Sequence, residues 1–103
     1  MKKFLVVVTS DAKADFNDYI DYIIISCKAP LTAQKHYKEL IKTLKGLESS
    51  ADVYQIQTRL SIVNRYGPFV RRINYKKMAI LYTIHGNTVY ILRIIAQSMI
   101  SGL

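Results

Sequence analysis

The spacing of apolar residues changes along this chain, and its first part predicts a strand followed by a helix. Phe4 to Val8 is a continuous apolar and largely β-branched run, typical of a strand that lies in the middle of a sheet or is buried on both faces. Thr9, Ser10 and Asp11 are candidate N-caps for a helix. Apolar residues then recur every three or four positions, which predicts one buried helix face: Ala12, Phe16, Tyr19 or Ile20, and Ile23.

A second helix is predicted to begin at Pro30, because proline is favoured in the first turn of a helix. Its apolar residues follow a four-three-four-three spacing, typical of a narrow seam: Ala33, Tyr37, Leu40, Leu44 and Leu47. The two helices are expected to form a hairpin. Aspartates follow another face of the first helix and lysines another face of the second, so that these faces either meet across the hairpin or remain solvated.

The pattern changes to strands after Pro68. Three runs rich in β-branched and aromatic residues predict a meander: Phe69 to Tyr75, Met78 to Ile84 and Thr88 to Ile95. Gly86-Asn87 and Lys76-Lys77 have the length of two-residue hairpin turns. Residues 48 to 67 are expected to contain a loop at 49–52 and a short helix or turn around 53–63. The predicted fold is therefore α+β, with an N-terminal strand, a helical hairpin and a three-stranded antiparallel meander forming one sheet with helices on one face.

Both faces of the predicted central strand are apolar. One alternating set contains Met78, Ile80, Tyr82 and Ile84, and the other contains Ala79 and Leu81. Since both sets are apolar, the strand is predicted to be buried on both sides. Two helices cover only one face of a sheet. The other face must be covered either by the loop and tail of this chain or by another chain.

Length and cysteine content limit the class of protein. The 103 residues are expected to form a single domain, 1–103. Cys27 is the only cysteine, so the chain has no intramolecular disulfide, and a buried structural thiol is expected. The apolar run at Phe4 to Val8 is shorter than the ~7 to 15 residues of a signal-peptide core. We therefore expect a cytoplasmic protein without membrane association.

The net charge of +8 is unevenly distributed. All seven acidic residues lie in residues 1–52 together with eight lysines, a net charge of +1. Residues 53–103 contain all five arginines and two lysines and no acidic residue, a net charge of +7. A one-sided positive field attracts nucleic acid or an acidic protein segment, although the excess charge also serves solubility alone.

Candidate binding residues are concentrated in this acid-free half. Arginine on a strand offers a rigid fork of donors to phosphates or carboxylates, and tyrosine offers a stacking surface. The candidates are Arg59, Arg65, Arg71, Arg72, Lys76, Lys77 and Arg93, interleaved with Tyr66, Tyr75, Tyr82 and Tyr90. Because Arg71 and Arg72 are adjacent in a strand, they must point to opposite faces. His36 and His85 have no acidic cluster around them in sequence, so no metal site and no cofactor are predicted.

The order of elements resembles the RelE/ParE toxin family over nearly the whole chain. The resemblance depends on residue types at Thr9 and Ala12 before Tyr22-Ile23, on Pro30 with Ala33, on Arg71-Arg72-Ile73, on Ile80 to Ile84 and on Val89 to Ile94. It implies the toxin of a type II toxin–antitoxin (plasmid stabilisation) system. It also implies neutralisation by a cognate antitoxin, whose acidic, partly apolar segment is expected to cover the open apolar face of the sheet. A homodimer or a heterotetramer with the antitoxin is compatible with this pattern.

Within the family, the chain is closer to the ParE-like branch. Members that cleave RNA carry a histidine or tyrosine at or just after the last strand as a proton-transfer group. Here that stretch reads Ile95-Ala96-Gln97-Ser98-Met99-Ile100 and has neither. Positive residues that would stabilise a pentacoordinate phosphate are present in Arg71, Arg72, Lys77 and Arg93. His85 would have to supply proton transfer, with Glu48 a weaker alternative.

Three functions follow from the resemblance. The first is a ParE-like toxin that binds a protein target such as DNA gyrase and is not an enzyme. The second is a RelE-type endoribonuclease acting on ribosome-bound or free mRNA, with Arg71, Arg72 and Arg93 on the phosphate and His85 or a tyrosine as proton shuttle. The third is a nontoxic relative that binds only antitoxin and operator DNA. The missing terminal histidine or tyrosine favours the first.

Overall fold

The computed structural model describes residues 3 to 102; Met1, Lys2 and Leu103, which belong to the predicted 1–103 domain, lie outside the described residues. The elements follow in the order β1 (Leu5–Val8), α1 (Ser10–Ile25), α2 (Pro30–Ser50), a 3₁₀ turn (Ala51–Val53), α3 (Leu60–Tyr66), β2 (Arg71–Tyr75), β3 (Met78–His85), β4 (Thr88–Ala96) and a C-terminal 3₁₀ turn (Gln97–Gly102). The strands form one mixed sheet in the order β1-β4-β3-β2. The α+β fold is confirmed.

β1 is an edge strand. It runs parallel to β4, with Leu5 opposite Thr88 and Val8 opposite Ile91. The expectation of a central or doubly buried strand is wrong, since Leu5 is 64% exposed and only alternate residues face the core. The three strands of the meander pair with their neighbours in sequence, so the N-terminal strand can join only at an edge.

Thr9 begins α1 and joins it to the sheet. Its Oγ1 accepts from the N–H of Ala12 at 3.3 Å, as expected of an N-cap, and donates to the carbonyl of Ile91 at 2.7 Å. The predicted apolar face is confirmed, with Ala12, Phe16 and Ile23 buried. β1 ends immediately before this cap, so its pairing with β4 stops at Val8, opposite Ile91. β4 itself continues to Ala96.

The two long helices cover one face of the sheet. Leu40, Leu44 and Leu47 of α2 are buried together with Phe16 of α1, whereas Tyr37 of the predicted seam remains half exposed. On the strands, this main core contains the residues of one alternating set: Met78, Ile80, Tyr82, Val89, Ile91 and Ile94. Within the described residues, the acidic face of α1 and the basic face of α2 form no ion pair with each other. Asp15 of α1 instead forms an ion pair with Arg93 of β4.

The meander has the predicted two-residue turns. Lys76 and Gly86 adopt positive φ angles of 52° and 63° in the first and second turn. Glycine tolerates this conformation and lysine adopts it at some cost. The β3–β4 register shifts between Leu81 and Tyr82, which leaves Leu92 as the extra residue of a bulge in β4.

The second face of the sheet is covered by this chain. Ala79 and Leu81 of β3 pack with residues of α3, the segment just before β2, β4 and the C-terminal turn: Ile62, Val70, Ile95 and Ile100. The expectation that an antitoxin segment covers this apolar face is therefore wrong, because α3 and the tail fill it. The intervening chain differs too, since α2 continues through Ser50 and the short helix spans Leu60–Tyr66 instead of 53–63.

None of the helices in residues 3 to 102 has the length and apolar character needed to cross a membrane.

Candidate functional site

The outer edge of β4 is open beyond Ile91. No strand of the described residues pairs with it there, and Asp15 of α1 occupies its beginning. The Asp15 carboxylate accepts from Arg93 Nε at 2.7 Å and Nη2 at 3.0 Å, and its Oδ2 also accepts from the backbone N–H of Ile94 at 3.0 Å. These hydrogen bonds raise the pKa of the Arg93 guanidinium. Arg93 also donates to the hydroxyl of Tyr66 on α3 at 3.3 Å, and so spans the edge of the sheet.

A groove of about 900 Å³ follows this open edge. Its floor is apolar and includes Met78, Ile94 and Ala96, and its walls come from the C-terminal half of α1, the start of α2 and the β2–β3 turn. Other lining residues are Asp15, Asp18, Tyr19, Tyr22, Ile23, Cys27, Thr32, His36, Lys76, Lys77, Arg93, Ile95 and Met99. The groove therefore combines apolar contact surface with an unpaired strand edge, a combination suited to an extended peptide.

One end of the groove is basic. Lys76 and Lys77 form the β2–β3 turn and are exposed, with the Lys76 ammonium 5.6 Å from the ring centroid of Tyr75. The predicted binding lysines are thus in the groove. Cys27 also lines it and is exposed, contrary to the expected buried thiol, because α1 ends at Ile25 and leaves Cys27 in the hairpin turn.

A polar cluster that the sequence analysis missed lies beside this basic end. Tyr19 Oη and His36 Nδ1 are 2.8 Å apart, and the hydroxyl of Tyr75 donates to Oε1 of Glu39. Burial and the nearby Lys76 ammonium lower the pKa of His36. The hydrogen bond from Tyr75 lowers the pKa of Glu39, and burial followed by this bond raises that of Tyr75. His36 and Glu39 are three residues apart on α2 and share a face, but their partners on other elements have no signal in sequence.

Arg71 and Arg72 point to opposite faces of β2, as predicted. Arg71 lies opposite Tyr82 and its Nη1 donates to the carbonyl oxygens of Asp52 at 3.1 Å and Tyr54 at 2.6 Å. Its guanidinium thereby holds the segment after α2 against the edge of β2.

Arg72 and Arg93 lie in one row across the sheet, on either side of Leu81. Two strand spacings place their Cα atoms about 10 Å apart. Arg72 donates to the side chains of Asn74 at 2.8 Å and Gln97 at 3.0 Å. The row thus places two of the predicted phosphate-stabilising arginines on β2 and β4, the strands on either side of β3, each with a partner from this chain.

His85 is at the other end of β3. It is four residues beyond Leu81, about 13 Å along the strand, and its ring contacts Tyr90 edge-on at 5.6 Å. The fold does not bring it to the arginines. Glu48 likewise lies elsewhere, at the end of α2, where its carbonyl accepts from the N–H of Phe4.

Of the predicted binding tyrosines, Tyr82 is completely buried, and its hydroxyl donates to the carbonyl of Ala51 at 2.7 Å. Burial raises its pKa. Its ring offers no stacking surface, because even-numbered residues of β3 face the helices. Tyr90 is on the opposite face and partly exposed.

Arg59 is the N-cap residue of α3 and Arg65 lies in its last turn; both are exposed, and neither lines the groove. In the part of the chain that the structure describes, no three histidine, cysteine or acidic side chains are grouped as metal ligands would be.

Comparison with known proteins places this fold in a family. Residues 6–101 match the family model described as the ParE toxin of the type II toxin-antitoxin system parDE. No curated protein matches the chain. Among solved structures, a chain of a chromosomal ParDE toxin–antitoxin system from P. aeruginosa superposes with a TM-score of 0.71 at 21% identity, covering 91% of this chain and 96% of that one.

A chain of the toxin–antitoxin complex RelBE2 from Mycobacterium tuberculosis superposes with a TM-score of 0.63 at 17% identity, covering 92% of this chain and 99% of that one. At these identities the two structures support the fold. The family assignment comes from the match over residues 6–101, which includes every strand except the first residue of β1 and all three helices. This chain belongs to the ParE toxin family, within the RelE/ParE superfamily, of type II toxin–antitoxin systems.

Proposed function

We propose that this toxin acts by binding a protein target, DNA gyrase, and does not cleave RNA. The observation that carries the proposal is that the arginines on its strands are hydrogen-bonded to acceptors within the chain. Arg93 is held by both carboxylate oxygens of Asp15, and Nη1 of Arg71 by two backbone carbonyls, so both guanidinium groups already have acceptors within this chain. His85, the proton-transfer group considered from sequence, is about 13 Å away along β3.

The proposal includes a cognate antitoxin. An acidic, partly apolar antitoxin segment fits the groove, where the edge of β4 offers backbone hydrogen bonds, Met78 and Ala96 offer apolar contact, and Lys76 and Lys77 offer positive charge. The solved complexes of the two similar structures are those of toxins with antitoxins. Gyrase is a cytoplasmic enzyme, and so the proposal puts this toxin in the cytoplasm. Its assembly as a homodimer or as a heterotetramer with the antitoxin stays a prediction.

A supercoiling assay tests the proposed activity. Purified gyrase is incubated with relaxed plasmid, ATP and increasing amounts of the toxin, with and without its cognate antitoxin. The proposal predicts loss of supercoiling that the antitoxin prevents. Full supercoiling at saturating toxin, from protein that still binds antitoxin, would show that gyrase is not the target.

The groove is tested by charge reversal. Lys77→Glu places an acid at the basic end of the groove and is expected to weaken antitoxin binding by roughly tenfold. Lys45→Glu makes the same change at an exposed position of α2 outside the groove and is the matched control. Equal loss of affinity in the two variants would mean that only net charge matters, and no loss in either would place the antitoxin elsewhere.

A RelE-type ribonuclease is the second candidate, because one observation favours it. Tyr19 and His36 are hydrogen-bonded side chains that can exchange protons, and they line the same groove as Lys76 and Lys77. If the toxin cleaves mRNA there, His36→Gln and Tyr19→Phe abolish cleavage. If it cleaves at the arginines of β2, Arg71→Ala and Arg72→Ala abolish it instead without unfolding the domain. A purified protein inert toward ribosome-bound mRNA excludes both sites.

A further inference from the structure

The segment between α2 and β2 exposes an unusual number of large apolar side chains. Val53 is 73%, Leu60 72% and Phe69 69% exposed, and Ile56 is also exposed. We call these four residues the β2-edge patch. Exposed apolar groups grouped in this way on a small protein are typical of an interaction surface.

The patch has a fixed backbone. Ile56 forms an antiparallel bridge with Arg71, and the N–H of Gln57 donates to the carbonyl of Val70 at 2.8 Å. Phe69 is in the turn immediately before Val70, so Ile56 and Phe69 both lie beside this short antiparallel contact. Arg71 further holds the carbonyls of residues 52 and 54. The exposed side chains are therefore presented by an ordered edge of the sheet, which lowers the entropic cost of binding.

The charge around the patch indicates the chemistry of its partner. Arg59, the N-cap residue of α3, and Arg65, in the last turn of that helix, are exposed, and the chain contains no acidic residue after Asp52. An acidic surface would be attracted to these arginines. Three of the four patch side chains are aliphatic and cannot stack on bases, which favours a protein over a nucleic acid.

The patch is distinct from the groove. None of its four residues lines the groove, which ends at the β2–β3 turn, whereas the patch lies at the opposite end of β2. We propose that the β2-edge patch is the surface with which this toxin binds its target, an acidic protein surface with an apolar centre. This inference depends on the proposed function, since it assigns the target to one surface and leaves the groove to the antitoxin.

Leu60→Asp, Phe69→Ser and Arg59→Glu test the patch. Leu60 is the first residue of α3 and Arg59 its N-cap residue, positions where acidic side chains are favourable to the helix, so these two variants are expected to fold. Leu31→Asp is the matched control, an 80% exposed leucine in the first turn of α2 outside the groove lining. Each protein is assayed for growth arrest without antitoxin, for binding to purified gyrase and for binding to antitoxin.

The inference predicts that each patch variant binds gyrase at least about tenfold more weakly and fails to arrest growth. Antitoxin affinity is expected to stay within about twofold of the wild-type value, while Leu31→Asp behaves as wild type. Wild-type toxicity and gyrase binding in all three patch variants would overturn the inference but not the proposed function. If the wild-type toxin neither binds gyrase nor arrests growth, the proposed function fails, and the inference fails with it. Loss of antitoxin binding together with gyrase binding in folded variants would also overturn it, because the two surfaces would then be one.

Discussion

Asp15 on α1 and Arg93 on β4 form a two-point ion pair at the place where β1 ends and the edge of β4 becomes open. The Asp15 and Arg93 side chains are 14% and 26% exposed, so water screens the pair only partly. The same carboxylate caps the N–H of Ile94, which would otherwise have no strand to bind. One aspartate thus joins the helical hairpin to the sheet and marks the beginning of the groove.

Asp15→Asn should destabilise the protein measurably. The amide keeps the shape but loses the charge that Arg93 and the N–H of Ile94 both use, so we expect a loss of about 2 kcal/mol. Urea denaturation measures this change. Asp21→Asn, an exposed aspartate on the same helix, is the control and should change stability by less than about 0.5 kcal/mol. Equal stabilities for the two variants would mean that the ion pair has no structural role.

Thr9→Ala should cost about 1 to 2 kcal/mol, because it removes the N-cap of α1 together with the hydrogen bond to the carbonyl of Ile91. Thr9→Ser retains the hydroxyl and should recover most of the loss. Thermal unfolding followed by circular dichroism compares the three proteins. If serine is as destabilising as alanine, the hydroxyl contacts are not the source of the effect.

Tyr82→Phe tests whether Tyr82 is a core residue or a binding residue. Removing the buried hydroxyl leaves the carbonyl of Ala51 without its donor, so the free energy of unfolding should fall by about 1 to 2 kcal/mol. Growth arrest at a temperature where the variant is folded should be unchanged. Tyr90→Phe, at a partly exposed position, should leave stability nearly unaltered. A folded Tyr82→Phe protein without toxicity would contradict the assignment of this ring to the core.

Stability should decrease as the pH falls from 7 to 5. Burial and Lys76 lower the pKa of His36, so the unfolded chain, in which the histidine has its ordinary value near 6.5, binds the proton first. Lys35 also opposes this proton, whereas Glu39 favours it. The lowered pKa of Glu39 acts in the same direction, but only nearer pH 4.

His36→Gln should therefore flatten the dependence of stability on pH between 7 and 5. Urea midpoints in steps of half a pH unit give the measurement, and His85→Gln, whose ring is exposed at a hairpin turn, is the control. An unchanged slope in the His36 variant would contradict the role of this histidine.

Local patterns predicted the elements of the fold well. The hairpin seam, an N-cap among Thr9, Ser10 and Asp11, and the two-residue turns depend on neighbours within a few positions. These features were confirmed, except that Tyr37 of the seam is half exposed. The position of β1 was wrong, because an apolar run indicates a strand but not its place in a sheet. The prediction that an antitoxin segment covers the second face was also wrong. The observed cover depends on Ile62 and Ile100, which are far apart in sequence and meet on one side of β3.

The candidate site was only partly predictable for the same reason. Sequence spacing placed Arg71 and Arg72 on opposite faces of a strand, but not their internal acceptors. The contact of Tyr19 with His36 joins two helices through side chains. No periodicity within one helix indicates such a pair. The groove also depends on how the strands pair. It follows the part of β4 that extends five residues, 92–96, beyond its pairing with β1.

Mapping of transcript ends in cells that express the toxin without its antitoxin is the most direct test of the central claim, that this toxin binds a protein target and leaves RNA intact. Growth, the DNA-damage response and the 5′ ends of all messages are followed in one culture after induction. The account predicts arrested growth, an induced DNA-damage response and intact messages. Codon-resolved cleavage of mRNA at the onset of arrest would contradict it.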